Sequence, residues 1–283
     1  MTTFTTTDGL TLAYTDEGTG PETPLLCLAG LTRNGSDFDF LVEAIRQAHP
    51  NRRIIRLDAR GRGASDHDPK YANYNIMVET GDAIALLDHL GIAQTVVVGS
   101  SRGGFQAMVM AATAPHRLKG VVMNDVGPEL DPRGLSKIMG YLGVPPTAKT
   151  LSEAAANMKA AFGHDFDVDD SHWDQMAARS YRVVDGGLAL TYDPKLREAV
   201  IEQAAAIDPN GPGLWPLFET MKSIPTILLR AENSDLLSAE ISAKMQSVKP
   251  DLTETVVKGR GHIPRLDEPE VIEAVSAFLA TLD

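Results

Sequence analysis

The stretch that most constrains this chain is Thr95-Val-Val-Val-Gly-Ser-Ser-Arg-Gly-Gly104, followed directly by Phe105-Gln-Ala-Met-Val-Met-Ala-Ala112. The continuous β-branched run Val96–Val98 suits a strand buried on both faces, and the segment after it has helical length and propensity. Between them, Gly99-Ser100-Ser101-Arg102-Gly103 fits G-x-S-x-G with Ser101 at the centre. A strained strand-to-helix turn would push the Ser101 hydroxyl out of a sheet, and glycines two places either side let backbones approach closely. The N–H of Arg102 would then face a developing oxyanion near the helix N-terminus. The same residues also fit a βα loop without chemistry, or one that cradles a phosphate. A dinucleotide fold normally places its glycine turn after the first strand, with an acidic residue about 20 residues on. Here the turn comes a third of the way in, and the chain has no Tyr-x-x-x-Lys pair.

A length of 283 residues allows one large α/β domain or a domain carrying an insertion. With 43% hydrophobic and 23% charged residues the composition is that of a globular protein, which excludes extended disorder. A formal charge of −12 and the lack of a basic stripe argue against nucleic acid and anionic membranes as partners. The single cysteine, Cys27, sits in Leu25-Leu-Cys-Leu28, so it reads as a small core residue and allows no internal disulfide. The N-terminal residues lack a basic then apolar leader, and no run approaches the ~20 apolar residues of a membrane span. A reducing, cytoplasmic setting is the expectation.

Along the chain, residues 3–16 alternate around Asp8-Gly9 and predict a β-hairpin. Strands follow at Pro24–Leu28 and Arg53–Leu57, with a helix from Asp37 to Ala48 between them and a helix from Asn75 to Leu90 before the Thr95 strand. Another strand is expected at Val121–Asp125, and this alternation implies a parallel sheet. From there to about Ser223 the segments read as helical: Pro132–Leu142, Leu151–Phe162, Asp169–Arg182, Pro194–Ala206 and Leu214–Met221. Gly143-Val-Pro-Pro146 and Asn210-Gly-Pro-Gly213 punctuate them. Strand and helix then alternate again at Pro225–Arg230, Ala239–Lys249, Leu252–Val257 and Pro269–Leu282. The expected organisation is a core of 1–126 and 223–283 interrupted by a helical cap, 127–222, at the edge where Ser101 emerges.

A serine hydroxyl is a poor nucleophile at neutral pH and needs a general base, which in turn needs an orienting carboxylate. Of seven histidines, only His262 lies in a loop just after a late strand, in Lys258-Gly-Arg-Gly-His-Ile-Pro264. Asp235, in Ala231-Glu-Asn-Ser-Asp-Leu236 after the strand that closes the insertion, is the preferred acid; Glu232 and Asp125 are its rivals. The order Ser101, Asp235, His262 is the one associated with a strand–elbow–helix nucleophile. Met123, Trp173, Trp215 and Phe218 are candidates for lining a substrate pocket. For Trp215 and Phe218, helical spacing serves pocket lining and plain packing equally. The acidic segment His164–Asp170 superficially resembles a calcium loop, but Asp170 stands where the turn glycine is needed and Met176 where the bidentate glutamate belongs. Asp58–Asp66 reads as structural.

With these residues assembled, the chain resembles the α/β-hydrolase superfamily. The resemblance covers the core on both sides of the insertion and rests on Gly-x-Ser101-x-Gly, Asp58-x-Arg-Gly-x-Gly-x-Ser65, Gly-His262-x-Pro and the late Asp235 loop. It implies an α/β fold with an eight-stranded, mostly parallel sheet and a helical cap, with Ser101 as nucleophile, His262 as base and Asp235 as acid. It also implies the N–H groups of Leu31 and Arg102 as oxyanion donors, and it calls for no cofactor or metal. The expected partner is a small or medium apolar ester or lactone, and a homodimer is compatible with the chain. Three departures stand out: Ala29-Gly30 where many members have His-Gly, a longer turn before Asp235, and Arg102 beside the nucleophile, where it could turn into a surface ion pair or contact substrate or cap. Serine at the elbow argues against epoxide hydrolases and haloalkane dehalogenases. Lactonase and C–C bond hydrolase activities, or a non-catalytic ligand-binding protein on this scaffold, are the alternatives.

Overall fold

In the computed structural model, which describes residues 1–206, 208 and 211–283, the chain runs in order through β1 (Thr2–Thr5), β2 (Thr11–Glu17), β3 (Leu25–Leu28), α1 (Asp39–Ala48), β4 (Ile54–Leu57), α2 (Ile76–His89), β5 (Thr95–Ser100), α3 (Arg102–Thr113) and β6 (Leu118–Asn124). An insertion follows: α4 (Pro132–Tyr141), α5 (Leu151–Phe162), α6 (Asp170–Ser180), β7 (Tyr181–Val184), β8 (Gly187–Leu190), α7 (Leu196–Ala206) and α8 (Trp215–Glu219). The chain then returns through β9 (Thr226–Ala231), α9 (Ala239–Val248), β10 (Thr253–Val257) and α10 (Pro269–Ala280). Asn210, the first residue of the predicted Asn210–Gly213 punctuation, lies outside the described residues.

Eight strands form one sheet in the order β1-β2-β4-β3-β5-β6-β9-β10. It is parallel from β4 to β10, whereas β1 and β2 are antiparallel and come first, as the Asp8-Gly9 turn predicts. Side chains alternate strictly between two cores. Leu26, Leu28, Val97, Val121, Met123 and Leu228 join residues of α2, α3 and α9 on one face. On the other, Leu25, Cys27, Val96, Val98, Val122, Ile227 and Leu229 pack on α1 and α10. This period of two in strands covered by helices on both faces is why they read as unbroken apolar runs. Each fully buried aliphatic side chain contributes about 1.5–3 kcal/mol. Burial pushes the Cys27 thiol up to about 12, so it behaves as a small hydrophobe.

The insertion departs from expectation at one point. Between α6 and α7 the chain makes an antiparallel hairpin, β7–β8, turning at Asp185-Gly186, and α6 ends at Ser180 rather than Arg182. The insertion is held to the sheet's loops by polar contacts. The Asp131 N–H donates to Leu236 O (2.9 Å) and the Gly134 N–H to Asp235 O (2.8 Å). The Asp167 N–H donates to Gly259 O at 2.7 Å. Phe40 of α1 is sandwiched between the guanidinium groups of Arg179, from α6, and Arg265, at 4.4 and 4.3 Å from its ring centroid.

Candidate active site

Ser101 sits between β5, in the middle of the sheet, and α3, with φ 50° and ψ −112°. A non-glycine residue at positive φ is strained, and the surrounding packing holds it. The Ser101 N–H donates to Asn124 O (3.0 Å) and its carbonyl accepts from the Gly104 N–H (2.9 Å). The flanking glycines are demanded by close approach. A Cβ on Gly99 would lie 2.6 Å from the Gly103 carbonyl carbon, and one on Gly103 would run into the Leu28 carbonyl.

His262 reaches Ser101 from the loop after β10, two strands away from β6. Its Nε2 lies 3.1 Å from Ser101 Oγ, and its Nδ1 lies 2.7 Å from Oδ2 of Asp125. The expectation that Asp235 orients the histidine is thus corrected: the carboxylate is Asp125, the residue just past β6. Asp125 also takes a positive φ, 50°, which aspartate tolerates better than most residues, and it is fully buried. It accepts three hydrogen bonds, from His262, from the Ala231 N–H at Oδ1 (2.9 Å) and from the Ser234 hydroxyl at Oδ2 (2.7 Å). The loop after β9, where the acid was expected, therefore supplies donors to the acid instead.

Asp235 is drawn elsewhere. Its backbone is gripped by the start of α4, and its carboxylate pairs with Lys137 Nζ at 2.6 Å, which also binds Asp165 at 2.7 Å. Glu232 accepts from the Gly259 N–H (2.9 Å) and so braces the histidine loop from below. Asn124 braces it from the side: its Nδ2 donates to Pro264 O (3.1 Å) and to Ser100 Oγ (3.0 Å). With Asp125 as a carboxylate, which only accepts, Nδ1 carries the imidazole proton and Nε2 is left to accept from Ser101.

Leu31 follows Gly30, whose Cα could carry a Cβ only 3.7 Å from that of Ser101. Neither the Leu31 N–H nor the Arg102 N–H has an acceptor among the described residues. Arg102 does not reach the surface as one reading expected. Its guanidinium is buried, donating from Nε to Glu79 Oε2 (2.7 Å) and from Nη2 to Glu79 Oε1 (3.0 Å). The Asp58–Asp66 loop is tied down by hydrogen bonds and ion pairs. Asp58 accepts from the N–H groups of Gly35 (2.7 Å) and Ala64 (2.9 Å), and Arg60 binds Asp8, Asp68 and Asp82.

The four pocket candidates differ in their surroundings. Met123 and Phe218 are fully buried in the core on the α3 face, and Trp173 packs inside the insertion against Ala154, Ala155 and Ala177. Trp215, partly buried, packs against the same core as Met123 and Phe218 and donates from Nε1 to Glu129 (3.0 Å), with Lys244 Nζ 4.0 Å over its ring. Trp215 and Phe218, at helical spacing, meet edge to face with ring centroids 6.1 Å apart.

A sequence profile of the alpha/beta hydrolase fold matches residues 23–269. The chain belongs to the α/β-hydrolase family. The hydrolase is 31% identical to the 3-hydroxybutyrate-oligomer hydrolase of Cupriavidus necator, over 94% of this chain and 92% of that protein. It is 26% identical to the 2-(acetamidomethylene)succinate hydrolase of Mesorhizobium japonicum, over 95% of this chain and 92% of the relative. The crystal structure of an α/β hydrolase from Novosphingobium aromaticivorans, 38% identical, superposes with a TM-score of 0.89 over 99% of this chain and 97% of that one. Among the described residues of this hydrolase no helix is long and apolar enough to cross a membrane.

Proposed function

We propose that this α/β hydrolase cleaves carboxylic esters through an acyl-enzyme on Ser101, with His262 as general base and Asp125 as the orienting acid. The observation that carries the reading is the unbroken relay from Ser101 Oγ through His262 to Asp125, 3.1 and 2.7 Å in its two links. Ser101 attacks the ester carbonyl while Nε2 takes its proton; Asp125 stabilises the imidazolium and fixes the ring. The N–H groups of Leu31 and Arg102 receive the oxyanion, and Nε2 returns the proton to the leaving alcohol. Water then repeats the cycle on the acyl-enzyme. The insertion serves as a lid over this site, because Leu31 packs into a cluster with Leu142, Tyr192 and Leu196 of the insertion. The similarity to a 3-hydroxybutyrate-oligomer hydrolase favours esters of short hydroxy acids over long-chain lipids.

The test is intact-mass labelling with a fluorophosphonate, followed by hydrolysis of a p-nitrophenyl ester series and of 3-hydroxybutyrate dimer and trimer. One adduct on the wild-type protein that is absent from Ser101→Ala, with turnover greatest on short acyl chains, is the expected result. A folded wild-type protein that takes no adduct would overturn the assignment.

A further inference from the structure

Behind the oxyanion site lies a buried cluster that the acyl-transfer chemistry does not itself use. Glu79, in α2, has no exposed side-chain surface. It accepts from Arg102 Nε and Nη2, from Arg62 Nη1 (2.8 Å) and from Gln106 Nε2 (3.2 Å). Arg62, also buried, turns its Nε onto Leu31 O at 2.9 Å and its Nη1 onto Arg60 O at 2.7 Å. Arg102 Nη2 in addition donates to Tyr74 O at 3.1 Å.

Two features of this cluster are unusual. Burying ions is costly, and here three sit together. Moreover, the two guanidinium groups that share Glu79 are each tied to one of the two residues whose N–H groups would form the oxyanion hole. In the acyl-transfer reading Arg102 itself provides one N–H, and Arg62 holds the carbonyl of Leu31, the residue whose N–H, in the preceding peptide unit, provides the other. Burial pushes the Glu79 carboxyl up, yet Arg102 and Arg62 together outweigh that and hold it below the usual carboxylate range. Two cations to one anion also leave the cluster with an excess of positive charge behind the place where negative charge would develop.

We infer that Glu79 is a positioning residue of the oxyanion hole, anchoring Arg102 through its guanidinium and, through Arg62, the carbonyl of Leu31, so that the N–H groups of both residues are held towards one oxygen. This rests on the acyl-transfer reading above. An oxyanion site works because its donors are fixed before charge appears, and loss of one donor in such a site typically costs ~10²–10³ in rate. Loosening a donor rather than deleting it should cost less, ~10–100-fold.

The experiment compares wild type, Glu79→Gln and Arg62→Met, using p-nitrophenyl butyrate as substrate and a short alkyl trifluoromethyl ketone, which Ser101 converts to a tetrahedral oxyanion, as inhibitor. Near-ultraviolet circular dichroism confirms the fold of each. The expected result is a ~10–100-fold fall in kcat with KM within about threefold, and a rise in Ki for the ketone by the same factor as kcat falls. A role in folding alone would lower the melting temperature and leave kcat and Ki of the folded fraction at wild-type values. If Glu79→Gln does not fold, Arg62→Met decides, since it keeps Glu79 paired with Arg102. A folded Arg62→Met with kcat and Ki within twofold of wild type overturns the inference alone. A wild-type protein that neither turns over ester nor takes a fluorophosphonate overturns the hydrolase reading beneath it.

Discussion

Replacing Asp125 with asparagine should lower kcat on p-nitrophenyl butyrate by about 10⁴, roughly 5.4 kcal/mol of barrier, while Asp235→Asn should cost threefold at most. The difference follows from what each carboxylate receives. Asp125 takes a rigid backbone donor, the Ala231 N–H, on Oδ1, and two adaptable donors, the Ser234 hydroxyl and His262, on Oδ2. An amide at this position must keep its oxygen on Ala231, because a backbone N–H cannot turn round and an unmet buried donor costs about 1–3 kcal/mol. The new NH₂ then faces His262, whose only accommodation is to accept at Nδ1 and carry its proton on Nε2. A protonated Nε2 cannot take the proton of Ser101. Asp235, by contrast, is partly solvated and binds Lys137, which keeps Asp165 as a second partner; exposed pairs of this kind are worth about 0–1 kcal/mol. Both variants should fold, and kcat with fluorophosphonate labelling rates would be measured side by side. A fall of 10³ or more in Asp235→Asn, with Asp125→Asn keeping over a tenth of wild-type activity, would refute this reasoning.

Three further outcomes can be checked. Gly103→Ala should abolish soluble, active protein, because its Cβ would meet the Leu28 backbone of β3, 2.6 Å from the carbonyl carbon, with no flexible side chain to give way; expression and labelling would show it. Gly81→Ala, at an exposed site in α2 with nothing within 4 Å of the new methyl, should instead stabilise by about 0.8–1 kcal/mol in denaturant melts. Burial among Phe166 and Trp173, with smaller contributions from Arg265 and Arg260, pushes His172 down from 6.5 to about 4. The unfolded chain therefore takes up this proton first, and stability present above pH 6.5 is lost as the pH falls towards 4. The loss reaches about 2 kcal/mol by pH 5; His172→Leu should remove that share of the acid sensitivity in melts at pH 7 and pH 5.

Most of the sheet was legible because its strands carry unbroken β-branched or leucine runs and its helices carry caps such as Asn75 and Ser238, which accept from N–H groups of the first turn. The elbow was legible for a stronger reason: only glycine fits at 99 and 103, so the motif is a steric requirement written in residue types. What stayed hidden depends on which of several chemically equal groups wins a partner. Asp125 and Asp235 both follow strands at one sheet edge, and nothing local says that the start of α4 will capture the second. The Arg62–Glu79–Arg102 cluster joins residues 17 and 23 apart, with no periodic signature. The β7–β8 hairpin was missed although Asp185-Gly186 is the same turn signal that marked Asp8-Gly9, because its short strands stand out poorly among helical segments.

The position of the acid shows what the relay requires and what it leaves free. His262 needs a carboxylate oxygen within hydrogen-bond reach of Nδ1, and the end of β6 provides it through Asp125. With β6 supplying Asp125, the β9 loop still contributes through the Ala231 N–H and the Ser234 hydroxyl, while Glu232 holds the Gly259 N–H of the histidine loop. These contacts tie all three loops together. Asp235, released from the histidine, is free to bind Lys137 while its backbone accepts from Gly134, so the loop that steadies the acid is also the loop that anchors the first helix of the insertion. The Asp235 carbonyl that accepts from the Gly134 N–H thus belongs to the residue next to Ser234, whose hydroxyl donates to Asp125.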